Sequence, residues 1–279
     1  GKIILTTRDN HIESNEYIHN VIQIGELTPN QKLNLFLTII ENKKTQPLAS
    51  SQREEAKKFL EEIPPFPLDV SMAAYYLKTT NISYQNYLIN LSYYDEDFEN
   101  VQKNILEEVS SYNKTRYNII AISLKQITNT HDEFKNLLLL ISFLDSQDIP
   151  LELLKAYRSG PIVENFIYNL KKYSFLVNKS LDFSSGASTI SLHRSTQQIS
   201  LAYLVKELNL KENAQLLQEI SNFLQIYINN LFERENTSKI KTLASHYEKF
   251  LRYDDLIPEE VKNAISGELG RIYIYLCSY

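Results

Sequence analysis

Asp132-Glu-Phe-Lys-Asn-Leu-Leu-Leu-Leu-Ile-Ser-Phe143 is the stretch on which the fold turns. It is apolar on most sides of a 3.6-residue period, which marks a helix packed within a core. Asp148-Ile-Pro150 breaks it, and segments 150–157 and 161–172 read as two further helices. Then the period changes. Phe175-Leu-Val177 and Thr189-Ile-Ser-Leu192 are short β-type runs, with the turn signal Ser184-Ser-Gly186 between them, so the pair reads as a hairpin. Three helices followed by a hairpin is the outline of a winged helix, and Ser195 is placed to cap the helix that follows, to about Leu208.

Upstream of this stretch the pattern is helical back to Thr28. Thr28-Pro29 reads as an N-cap with proline at the first helical position, opening a helix whose apolar face is Leu33, Phe36, Leu37 and Ile40. A second helix starts at Ser50 or Ser51 and stops before Pro64-Pro65. Val70, Ala73, Ala74 and Leu77 mark a third, and shorter helices follow near 84–92, 98–112 and 115–128. Only residues 1–26 mix strand and helix signals, with Lys2-Ile-Ile-Leu-Thr-Thr-Arg8 and Val21-Ile-Gln-Ile24 as strand-like runs. Downstream, 211–232, 238–252 and 258–277 are helical, the last two resembling one unit of a helical-hairpin array. The expected fold is therefore mainly α. It comprises an α/β edge at 1–26, a small helical domain at 27–128, a winged-helix-like domain at 129–208 and a helical tail at 209–279.

Composition narrows the function classes. The chain has 279 residues, with 29 Lys+Arg against 34 Asp+Glu, a net charge of −5 that argues against a nucleic-acid partner. A single cysteine excludes a disulfide framework and a thiolate-rich metal site, and no apolar run approaches the length of a bilayer span. Cys277, at the end of an apolar helix, reads as a packing residue. His11, His19, His131 and His246 have no partner at metal-ligand spacing, and the acidic pairs Glu54-Glu55 and Glu61-Glu62 read as solvated helix faces. The composition is thus that of an acidic, soluble, cytoplasmic protein with no metal and no membrane partner. Gly1 stands directly before an apolar run, without a leader pattern, and reads as a junction left where a longer protein was cut.

Taken in order, the segments resemble the back half of an NB-ARC domain, the nucleotide-operated module of the STAND class of signal-transduction ATPases. Lys2-Ile-Ile-Leu-Thr-Thr-Arg8-Asp9 is similar to the family's sensor strand. Pro65-Phe-Pro-Leu68, followed by Ala73-Ala-Tyr-Tyr-Leu77, resembles its Gly-Leu-Pro-Leu motif and alanine-rich helix. Leu192-His193-Arg194 falls where the winged helix carries Met-His-Asp, and Leu269-Gly-Arg-Ile-Tyr-Ile-Tyr-Leu276 resembles the opening helix of a tetratricopeptide (TPR) array. The resemblance implies nucleotide-contacting roles for three residues: Arg8 at the terminal phosphate, Pro67 against adenine and His193 at the inner phosphate. Each has a plainer structural reading. Arg8 can be a surface arginine, Pro64-Pro65-Phe66-Pro67 a helix stop and restart, and His193 a satisfied strand-end residue.

The departures are as informative as the matches. No Gly-x-x-x-x-Gly-Lys-[Ser/Thr] loop is present, and no Walker B strand. Pro65 replaces the motif glycine, and Arg194 the motif aspartate. Without phosphate-cradling amides, a lysine and a magnesium carboxylate, hydrolysis has no machinery. The expectation is a non-catalytic protein–protein interaction or regulatory protein on a truncated or degenerate NB-ARC scaffold, with no enzyme activity and no cofactor. Composition and resemblance together suggest a bacterial effector, or a regulator of one, acting in the cytoplasm of the bacterium or of its host. The alternative is the C-terminal half of an ATP/ADP-operated switch. Tyr273, Tyr275 and Tyr279 fall partly off the apolar stripe of the last helix, so they are the candidate anchors for a protein partner.

Overall fold

The computed structural model describes residues 25–41, 49–94, 114–177 and 189–277. The expected strand-like edge up to Ile24, the helix at 98–112, the Ser184-Ser-Gly186 turn, Arg8 and Tyr279 lie outside these residues. Twelve α-helices and a two-stranded sheet make up the regular structure of the described residues, so the protein is mainly α.

The first five helices form from local signals. Helix α1 (Pro29–Ile40) begins with a reciprocal cap, because the Thr28 hydroxyl accepts the Gln31 N–H at 3.3 Å and the Gln31 side-chain oxygen accepts the Thr28 N–H at 2.9 Å. Proline at the first position loses no hydrogen bond there. Helices α2 (Ser50–Glu61), α3 (Pro67–Thr80), α4 (Tyr84–Ser92) and α5 (Lys114–Thr128) follow. Asn81 ends α3 in the left-handed region at φ 54°, which asparagine tolerates better than most residues. Helix α3 packs on α1 and α5, and the aromatic cluster Phe36, Phe59, Tyr84 and Tyr87 joins α1, α2 and α4. Fully burying such rings is worth about 1.5–3 kcal/mol each.

The deciding stretch is helix α6 (Glu133–Phe143), buried along most of its length. Its first turn is held by His131, whose Nδ1 accepts the Glu133 N–H at 3.1 Å. Strand β1 (Ile149–Pro150) leads into α7 (Leu151–Tyr157) and α8 (Gly160–Lys172), and β1 pairs antiparallel with β2 (Thr189–Ile190). Leu176 bridges Leu192 antiparallel, so the segment carrying β2 has partners on both sides. The order is helix, strand, helix, helix, a bridged residue and a second strand, with β1 between the helices where the sequence reading expected none. The β1 strand was not legible in Asp148-Ile-Pro150, which reads as a helix break; only its partner Ile190 makes it a strand. Helix α9 (Arg194–Glu207) starts two residues earlier than a Ser195 cap would place it. His193 occupies the cap position through its carbonyl, which accepts the Gln197 N–H at 3.0 Å.

Helices α10 (Ala214–Glu233), α11 (Thr237–Leu251) and α12 (Glu259–Cys277) form the tail and pack on one another. Leu243, Tyr247 and Phe250 of α11 are buried, as are Val261, Ile265 and Ile272 of α12, in line with the expected stripe. Cys277 is exposed rather than packed, because the last turn of α12 carries it to the outer face. Helix α5 packs against α3 and α4 on one side and α6, α8 and α9 on the other, so a single apolar core runs from Phe36 to Ile272.

Candidate functional site

The entry to the first helical unit is a pocket of about 330 Å³ lined by Leu27, Pro29, Lys32, Lys57, Leu60 and Pro65, among others. The Leu27 N–H donates to the Pro65 carbonyl at 2.8 Å, which ties the segment before α1 to the Pro64-Pro65 turn. Lys32 is buried and its ammonium donates to the Ile63 carbonyl. That burial lowers the lysine pKa, with Glu61 and Glu26 acting in the opposite sense. The walls are mostly apolar carbon, and the pocket suits an apolar side chain or ring with one polar edge.

Pro67 is exposed and opens α3. Two residues further in, Asp69 is fully buried and meets Arg116 of α5 side-on, with Nε at 3.0 Å from both carboxylate oxygens and Nη2 at 2.7 Å from Oδ2. The same guanidinium lies 4.5 Å from the centroid of the Phe66 ring. Burial pushes the Asp69 carboxyl above its usual range, and Arg116 opposes that shift. The pair ties the first turn of α3 to α5, and sequence reasoning missed it. Its only local signal is an acid in the first turn of a helix, which normally faces solvent.

His193 opens α9 and is exposed as a residue, although surrounding protein removes water from part of the ring and lowers its pKa. The start of α9 is fixed from inside. Gln197 Nε2 donates to the carbonyls of Ile141 and Leu144 at 2.7 and 2.8 Å, closing the end of α6. Pro67 and His193 thus head two helices that both pack on α5, and no hydrogen bond, ion pair or ring contact joins the two residues. With Arg8 outside the described residues, the three expected nucleotide contacts do not form a described constellation.

The tyrosines of α12 have different environments. Tyr273 is 43% exposed, and its hydroxyl reaches Glu248 of α11. Ile274 beside it is 71% exposed. Tyr275 is half-buried, with its ring 5.2 Å from that of Phe232 and its hydroxyl 3.5 Å from that of Thr237. It therefore packs within the tail. Tyr273 and Ile274 are the apolar groups that α12 offers outward.

Among the described residues no group of three or more His, Cys, Asp or Glu side chains is gathered as a metal site would require, and no helix is long and apolar enough to cross a membrane. No protein-family model matches the chain, and no curated protein matches it in sequence.

Proposed function

We propose that the protein is a non-catalytic interaction or regulatory module, built on a degenerate NB-ARC-like scaffold and presenting its helical tail to a protein partner. The observation that supports this most is the outward pair Tyr273–Ile274 on a helix whose opposite face is buried. Exposed aromatic and aliphatic side chains on a rigid helix are the usual anchors of such binding. The winged-helix order and the Pro65–Leu68 turn agree with the family resemblance. The acidic balance of the chain favours a protein partner over nucleic acid.

The second reading, a nucleotide-operated switch, draws on the pocket beside Pro65 and on the position of His193. Titration calorimetry with ADP separates the two. The interaction reading expects no ADP binding tighter than roughly millimolar, since a cradle for the phosphates is missing. A micromolar dissociation constant would move the protein to the switch class. The partner surface has its own test. Tyr273→Ala should leave the melting temperature nearly unchanged while weakening partner binding by about 1–3 kcal/mol. A fall in melting temperature with partner affinity intact would place the surface elsewhere.

A further inference from the structure

His246 lies at the seam between the winged-helix unit and the tail, fully buried on α11. One ring nitrogen, Nδ1, accepts the backbone N–H of Asp145 at 3.1 Å, and the other has no partner. Asp145 belongs to the turn from α6 to β1. That turn is fastened to the winged helix on its far side: the Leu192 N–H donates to the Ser146 carbonyl at 2.8 Å, and the Asp148 N–H to the Ser191 hydroxyl at 3.1 Å. One step from His246 the seam is aromatic. The Phe143 ring stacks on Phe250 at 4.8 Å and meets Tyr253 edge-on at 5.4 Å. At its periphery Lys239 pairs with Glu152, and Tyr157 lies 4.8 Å from Phe223.

A neutral imidazole has one acceptor nitrogen and an imidazolium has none. The ring can therefore accept from Asp145 only while it is uncharged, whichever nitrogen faces the amide. Protonation would set N–H against N–H at that point. It would also place a cation in a desolvated seam, a cost that the nearby Asp145 and Asp148 groups offset only in part. We propose that His246 is an acid-releasable latch, holding the helical tail on the winged helix when neutral and freeing it, with its buried aromatic face, when protonated.

The charged groups acting on the ring are Asp145 and Asp148, both in the α6–β1 turn; α10 and α12, the other helices packed on α11, add none among the described residues. These two carboxylates and the Asp148 backbone favour the charged ring, but desolvation outweighs them and the ring's pKa falls below that of free histidine. The direction of the effect follows. The undocked tail binds more protons than the docked one, so docking is at full strength above about pH 6.5 and weakens as the pH falls towards the ring's own lowered value. Because the turn also fixes Leu192, release loosens the approach to His193.

Hydrogen exchange on the intact chain, corrected for the intrinsic pH dependence of exchange, tests the latch. The amide of Asp145 and the segment 237–251 should exchange about tenfold faster near pH 5 than near pH 7.5. His246→Asn supplies an acceptor that does not titrate, and should abolish that pH dependence even if protection is lower throughout. An unchanged wild-type seam across this range overturns the proposal, and so does an Asn variant with the same pH dependence as wild type. Should the variant fail to fold, the wild-type ring can be followed by its nitrogen chemical shifts. Titration of His246 coincident with exposure of α11 supports the latch, and a ring that stays neutral while α11 opens overturns it.

Discussion

Arg116 shows what a single residue decides. Its guanidinium is the partner of a carboxylate with no exposed surface, and it also covers the Phe66 ring. Removing it leaves the buried Asp69 without its ion-pair partner, which is far costlier than losing a surface ion pair such as Lys155–Glu164. Arg116→Ala should destabilise the protein by about 3–5 kcal/mol, read as a shift of the denaturation midpoint. Substituting Lys155 should shift the midpoint by no more than about 1 kcal/mol. Equal effects would mean that water reaches Asp69 in the folded protein. Neither residue carries a local sign of this difference, since both are cations near the end of a helix.

At the scale of elements, α12 is the clearest case. Gly267 and Gly270 lie on its exposed face, and a Cβ added at either meets no atom within 4 Å. Glycine inside a helix forfeits backbone entropy without a packing reason on that face. Gly270→Ala should therefore stabilise the protein by about 0.5–1 kcal/mol in chemical denaturation. Loss of stability instead would show that another chain segment lies against this face. The existence of α12 was legible, because Val261, Ile265 and Ile272 keep helical spacing and fall on its buried side. So was α1, whose start is written in Thr28 and Pro29, although the reciprocal Gln31 contact emerged only in the structure. The two tyrosines were not separable in this way. Tyr273 and Tyr275 are two positions apart on one helix, and contacts from outside it, Phe232 of α10 and Thr237 of α11 among them, make the second a packing residue.

At the scale of the whole molecule, the Phe143 ring joins the end of α6 to α11 and the segment that follows it. Phe143→Ala removes the ring that meets both Phe250 and Tyr253, leaving a cavity that costs about 3–5 kcal/mol. Limited proteolysis should then cut near α11 in the variant at a protein concentration where wild type resists. Uniform resistance in both would locate the main docking energy at Tyr157–Phe223 and the Lys239–Glu152 pair instead. The sequence by itself determined that the described residues from Thr28 onward are mainly a succession of helices, with β-type runs near 175–192, because periodicity, caps and prolines act within a few residues. It also placed Phe143 and Phe250, though not Tyr253, on apolar helix faces. Only the tertiary structure decided which groups meet: Asp69 with Arg116 across 47 residues, Gln197 with the end of α6 across 56, and His246 with Asp145 across 101. Such pairings carry no local periodicity. Their energy exists only once burial has removed water from both partners, so it belongs to the packed core and is absent from any short stretch of chain.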